Sequence, residues 1–165
     1  MRLALLLGCL VVTACGSSTE KPSSEAGGKD QAKPAYEVVA GETRGRITAE
    51  DGSVTSMTSG TSAPAMLPDG FSVAPGLEVL NSTSVTRGQG SYVMLTMEGA
   101  QPVADIVAFY RQQALAAGIA ISINVATPQT TTIGGEGAGG RTFSLIATRT
   151  GDKSAVQLTI SRGLK

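Results

Sequence analysis

The chain has 165 residues, with 13 Lys and Arg set against 13 Asp and Glu, and no His. That length holds one domain of ordinary size once targeting and linker segments are set aside, and the balanced charge supplies no basic field to draw nucleic acid. Without His the commonest general base and the commonest metal ligand are both missing, which excludes Ser-His-Asp, Cys-His and His-ligated zinc chemistry.

The first element in chain order is a targeting segment. Arg2 supplies a positive start and residues 3–12, LALLLGCLVV, form an apolar run of signal-peptide length. Since a membrane-spanning helix needs roughly 20 apolar residues, this run is too short to remain as a span. It ends in Val12, Thr13, Ala14 and Cys15, followed by Gly16 and Ser17. Here the sequence resembles the bacterial lipoproteins, whose lipobox is an aliphatic residue, two small residues and a cysteine. The resemblance implies cleavage before Cys15, a diacylglycerol on its thiol and an acyl group on its new amino end. Two or more chains make stable anchoring, since each buried CH₂ contributes about 0.8 kcal/mol. A rival lipobox ending in Cys9 leaves an apolar run of only a few residues, so Cys15 is preferred. In Gram-negative lipoproteins an Asp directly after the cysteine favours retention at the inner membrane. Gly16 in that place implies the outer membrane, facing the periplasm. With Cys9 and Cys15 both at the N-terminus, the folded part holds neither a disulfide nor a cysteine nucleophile.

The division that follows is a signal peptide at 1–14, a lipidated cysteine and flexible polar linker at 15–35, a Thr/Ser/Gly-rich segment at 36–66, and a domain at 67–165. The linker is rich in Ser, Gly, Lys and Pro and has a reach of roughly 25 Å. In the next segment Asp51-Gly52 separates two short alternating runs, which predicts a hairpin at about 44–58. Residues 60–76 contain three prolines and read as a connector.

In the domain, LEVLNSTSV from Leu77 and SYVMLTME from Ser91 predict a strand pair across a TRGQG turn. Val103, Ile106, Val107, Tyr110, Ala114 and Ala117 recur at helical spacing, with Pro102 at the first helical position and Gly118 at C′. Three further strands carry Ile119, Ile121, Ile123 and Val125, then Phe143, Leu145 and Ala147, then Val156, Leu158 and Ile160, the last two flanking a TGDK turn. The expected fold class is α+β, one helix on an antiparallel sheet in the order β-β-α-β-β-β, preceded by a β-hairpin. LPDGFSVAPG and IVAFYRQQALAAG over residues 67–162 resemble a recurring domain of small bacterial envelope lipoproteins. That resemblance implies the same fold and brings no catalytic residues. The chain departs from the pattern in lacking a Ser or Asp helix cap and an aromatic residue after Gly118.

GEGAGG, residues 135–140, matches the glycine spacing of a phosphate loop, but a strand pattern follows it where a helix is required, so it reads as a mobile loop. Glu78, Glu98 and Asp105 are the carboxylates nearest the expected core, and Glu98 shares an outward strand face with Thr96, which suits simple solvation. Lys153 and Lys165, in a turn and at the terminus, are poor partners for a serine nucleophile. Phe109 and Tyr110 suit a core better than a binding spot. Asn81-Ser82-Thr83 matches a glycosylation pattern by accident of composition. Ser122, Asn124, Gln157, Thr159 and Ser161 are expected on an uncharged outer sheet face, either wet or able to bind a polymer. The expectation is therefore a non-enzymatic, membrane-tethered envelope lipoprotein, with Cys15 as lipidation site, the membrane as partner through acyl chains on Cys15, and an envelope protein or glycan as a further partner. No catalytic residue, metal or cofactor is assigned. The alternative is an enzyme acting on envelope glycan or peptide through its carboxylates.

Overall fold

A computed structural model describes residues 35–50, 53–61 and 63–163, so Cys9, Cys15, the targeting segment and the linker before residue 35 lie outside the described residues. Five strands, β1 (Ala35–Val39), β2 (Glu42–Thr48), β3 (Val54–Gly60), β4 (Leu77–Arg87) and β5 (Gly90–Gly99), precede the helix α1 (Val103–Ala116). Four follow it: β6 (Ile119–Ala126), β7 (Thr130–Gly137), β8 (Arg141–Thr150) and β9 (Lys153–Arg162). All nine join one antiparallel sheet in the order β1-β2-β3-β4-β5-β9-β8-β7-β6.

This corrects the expected α+β class and its β-β-α-β-β-β order. The fold is a β-rich sheet with a single helix, for two physical reasons. The predicted hairpin is part of a three-stranded extension that continues the main sheet through β3 and β4, pairing Gly60 with Ser82 and Thr55 with Arg87. The Asp51-Gly52 turn itself lies outside the described residues. Residues 130–137, whose Thr and Gly content gave no strand period, form the additional strand β7 between β6 and β8.

The helix forms where its periodicity places it. Pro102 sits at the N-cap, one position before the first helical residue. Gly118 follows the C-cap Ala117 with φ +74°, a left-handed conformation that glycine adopts without steric cost, and its N–H bonds the Leu115 carbonyl at 3.0 Å. Ile106, Val107, Tyr110 and Ala114 are buried on its inner face.

Beneath the helix, directly opposed residues share a sheet face. Leu95, Leu158 and Leu145 form a row across β5, β9 and β8, each at most 1% exposed. Val93 with Ile160 and Met97 with Val156 flank it, and each such apolar side chain contributes about 2 kcal/mol through burial. Residues 63–76 run beside this core, with Leu67, Phe71, Val73 and Ala74 packed on it. The Phe71 and Phe143 rings stack at 5.9 Å. Tyr110, wholly buried, ties helix, sheet and connector together: its hydroxyl accepts from the Ala74 N–H at 3.2 Å and donates to Met97 Sδ at 3.5 Å.

Burial pushes the Tyr110 phenol above its ordinary value of 10.0, against a smaller opposite effect of the Ala74 hydrogen bond. The unfolded chain therefore releases this proton before the folded one, so the stabilisation is complete below pH 10 and is lost as pH rises further. Tyr110→Phe keeps the ring but strands the Ala74 N–H; a loss of about 1–2 kcal/mol in urea unfolding at neutral pH is expected. The alkaline fall in stability should also be shallower in the variant. Equal stability of the two proteins would show that the hydroxyl contacts are not made.

Candidate functional site

The carboxylates come together only in part. Glu78 lies directly opposite Glu98 in the β4 and β5 pair, whereas Asp105 is exposed on the first turn of α1. Lys153 Nζ bonds Glu98 Oε1 at 2.6 Å, and this contact raises the lysine further above its ordinary value. A lysine so held is a protonated counter-ion and a poor base. Two cavities of about 560 and 500 Å³ open toward the two ends of α1, and neither has Glu78, Glu98 or Asp105 in its wall. In the first, Arg149 is occupied by the carbonyls of Gly151 at 3.0 Å and Ala100 at 3.4 Å. Among the described residues no cluster of three metal-ligating side chains occurs.

Phe109 and Tyr110 meet edge to face at 5.3 Å, Tyr110 inside the core and Phe109 half-buried against it. They form packing and no open aromatic surface. The glycine motif is ordered differently from the expected loop. Gly135 and Gly137 lie within β7, residues 138–140 make the turn, and strand β8 follows. The glycines serve close strand approach: a Cβ on Gly135 would collide with the Ala120 carbonyl oxygen of β6.

The outer face holds Gln157, Thr159 and Ser161 as expected, opposite Ile146, Ser144 and Thr142. Asn124 does not belong there. A register shift between Ile121 and Ile123 places Asn124 opposite Ile133, on the helix side, and turns Ile123 and Val125 outward opposite Gly134 and Thr132. These two are 53% and 59% exposed, and Ile146, opposite Thr132 on the other flank, is 38% exposed. Sequence periodicity had assigned Ile123 and Val125 to the core; a one-residue bulge leaves no signature in a run of alternating Ile and Val. Three pairs of outer hydroxyls bond one another, Thr142 with Ser161 at 2.7 Å, Thr130 with Thr148 at 3.0 Å and Ser59 with Thr83 at 2.8 Å.

The sheet has two edges of different character. β1 is five residues long, contains Glu37, and is backed by Glu42, Arg44 and Arg46 on β2. β6, IAISINVA, has eight residues, none ionisable and none proline, and pairs with β7 alone among the described strands. Charge, proline, shortness and bulges are the usual guards of a sheet edge, and of these β6 carries only the bulge between Ile121 and Ile123. Its free side offers backbone N–H and C=O groups next to the Ile123, Val125 and Ile146 patch.

Comparison with families of known proteins, with characterised proteins and with solved structures finds no match for the chain.

If β7 is a paired strand, Gly135→Ala should destabilise the protein by about 2 kcal/mol or more through overpacking against Ala120. Gly139→Ala, at a turn position with open space but φ +73°, carries only the cost of the left-handed conformation, about 1 kcal/mol, and should lose less. Thermal unfolding of both variants checks this, and an unchanged midpoint for Gly135→Ala would restore the loop reading.

Proposed function

We propose that this chain is a lipid-anchored, non-enzymatic envelope protein that captures an extended polypeptide segment along the free edge of β6. The observation that carries the reading is that edge: an eight-residue strand free of charge and proline, beside exposed Ile123, Val125 and Ile146. On either side of the bulge, outward backbone groups recur every second residue, about 6.8 Å apart, a repeat that a short strand matches and a sugar polymer does not. The mutual bonding of outer hydroxyls leaves fewer of them for a glycan. An added strand would present alternate apolar side chains to the aliphatic patch. The anchor rests on the lipobox ending in Cys15 and on its resemblance to bacterial lipoproteins, with the outer membrane facing the periplasm as the favoured address.

The non-enzymatic reading is supported by the lack of His and by the Lys153 contact that engages Glu98 away from Asp105. A tethered strand-binding module needs no acid or base. Its specificity comes from side-chain pockets on alternate residues and its affinity from main-chain pairing.

Two measurements test the two halves of this reading separately. Intact mass of the protein from its native membrane should match residues 15–165 plus acyl chains, and Cys15→Ala should lose them; an unacylated mass would remove the anchor alone. Peptides selected from a random display library on the purified protein should protect β6 amides from hydrogen exchange. Val125→Lys, an exposed change costing at most about 0.5 kcal/mol in stability, should weaken them on the order of tenfold. Peptides that protect another region, or that bind the variant equally well, would sink the edge proposal. A wild-type dimer dispersed by Val125→Lys would assign the edge to a second copy of the chain and overturn the partner-protein reading.

A further inference from the structure

The β8 and β9 pairing sets Arg141 directly opposite Arg162. Two like charges at directly opposed positions destabilise a sheet, so the arrangement calls for an explanation. Both side chains line the 500 Å³ cavity at the C-terminal end of α1, together with Phe71, Ile119, Ile160 and Asp69. The carbonyls at the C-terminal end of α1 and the Asp69 carboxylate in the same lining offset this charge only in part, because no ion pair closes on either arginine among the described residues. Asp69 makes no ion pair there, and Arg162, exposed, has no hydrogen-bond partner.

The two arginines are prepared differently. Arg141 donates from Nε to the Ala138 carbonyl at 3.2 Å and from Nη1 to the Ala117 carbonyl at 2.7 Å. It thereby fastens the β7 to β8 turn to the end of the helix, and its guanidinium is held in place with Nη2 unbonded. Arg162 makes no side-chain hydrogen bond among the described residues. One fork held by carbonyls and one left unengaged line the same cavity, and such a pair suits an oxyanion, since guanidinium N–H groups bind carboxylate and phosphate oxygens in pairs. Phe71, Ile119 and Ile160 supply an apolar wall next to the charge, and the volume lies within the range of small-molecule sites.

We propose that this cavity binds a small amphipathic anion, a carboxylate or phosphate carried on a short apolar body. The anion neutralises the Arg141 and Arg162 pair while its apolar part covers the wall. Asp69 in the lining disfavours polyanions, so a ligand with one carboxylate or one phosphate group is the fit. The site is separate from the β6 edge, and its fate does not depend on the peptide-binding reading.

Hexanoate is the probe and hexanol, the same chain without the charge, is its control. Titration followed by amide chemical shifts should show hexanoate binding with a Kd on the order of a millimolar, with shifts centred on Phe71, Ala117 and Gly139, and no comparable response to hexanol. Arg162→Gln should weaken hexanoate at least about fivefold, while its unfolding midpoint stays level or rises because a like-charge contact is relieved. Arg162→Lys, which keeps the charge and loses the fork, should fall between. No hexanoate binding to the wild type, an equal response to hexanol, or unchanged affinity in Arg162→Gln would each overturn the proposal. Adsorption to vesicles of phosphatidic acid in phosphatidylcholine, competed by hexanoate, would assign the anion to a lipid headgroup; no adsorption alongside hexanoate binding would assign it to a free solute.

Discussion

Among the described residues a single helix must roof one face of a sheet nine strands wide, and most of the structure follows from that mismatch. Nine strands at about 4.8 Å span roughly 40 Å, whereas a helix with its side chains is about 10–12 Å across. The apolar face is therefore confined to the strands that the helix and the 63–76 connector can cover, and it is richest in β5, β9 and β8, where Leu95, Leu158 and Leu145 meet. Beyond that cover the same face changes character. On β4 it carries Ser82 and Ser84, whose hydroxyls bond the Pro64 carbonyl and the Met66 sulfur of the connector. On β2 it carries Glu42, Arg44 and Arg46, where the Glu42 and Arg44 contact at 2.6 Å holds the carboxylate below its ordinary range. Strands with polar groups on both faces extend the sheet without demanding a second helix.

The parts of this design that were legible in the sequence are those that repeat. The helix announced itself because Ile106, Val107, Tyr110 and Ala114 recur on one face between Pro102 and Gly118, and β5, β8 and β9 announced themselves because period-two alternation survives along their whole length. β7 did not, because three of its eight residues are glycine. Glycine there reflects a demand made by a neighbouring strand, the nearness of the Ala120 carbonyl to Gly135, and a demand of that kind is written in three dimensions only. The β6 bulge has the same status. A single extra residue after Ile121 reverses the facing of everything beyond it, so the alternation that correctly placed Ile119 and Ile121 misplaced Ile123 and Val125.

Register was more accessible than topology. Given the TGDK turn, counting outward from the Thr150 and Lys153 pair brings Phe143 opposite Ile160 and then Arg141 opposite Arg162, so the arginine pair could have been found before any coordinates. The Glu78 and Glu98 pairing could not, because a shift between Val79 and Asn81 intervenes. Nor could the free edge. β6 reaches the rim because the α1 connection carries the chain past the positions that β9, β8 and β7 then fill, and local sequence does not encode the order in which later strands return.

A chain without histidine and with few aromatic residues must recognise its partners by other means, and the two candidate surfaces share a consequence of that composition. Strand pairing at β6 uses peptide groups, which do not titrate; the cavity uses guanidinium groups, which stay protonated in any ordinary solution. Neither surface contains a group whose ordinary pKa lies between pH 5 and 8. Recognition built this way has no pH switch in the protein, and any dependence on acidity comes from the ligand's own anionic group. What it does depend on is geometry: the bulge that turns Ile123 and Val125 outward, and the two carbonyl contacts that hold Arg141. Both features sit on the strands that follow the helix: the bulge at the exposed rim of the sheet on β6, and Arg141 at the start of β8 against the end of α1.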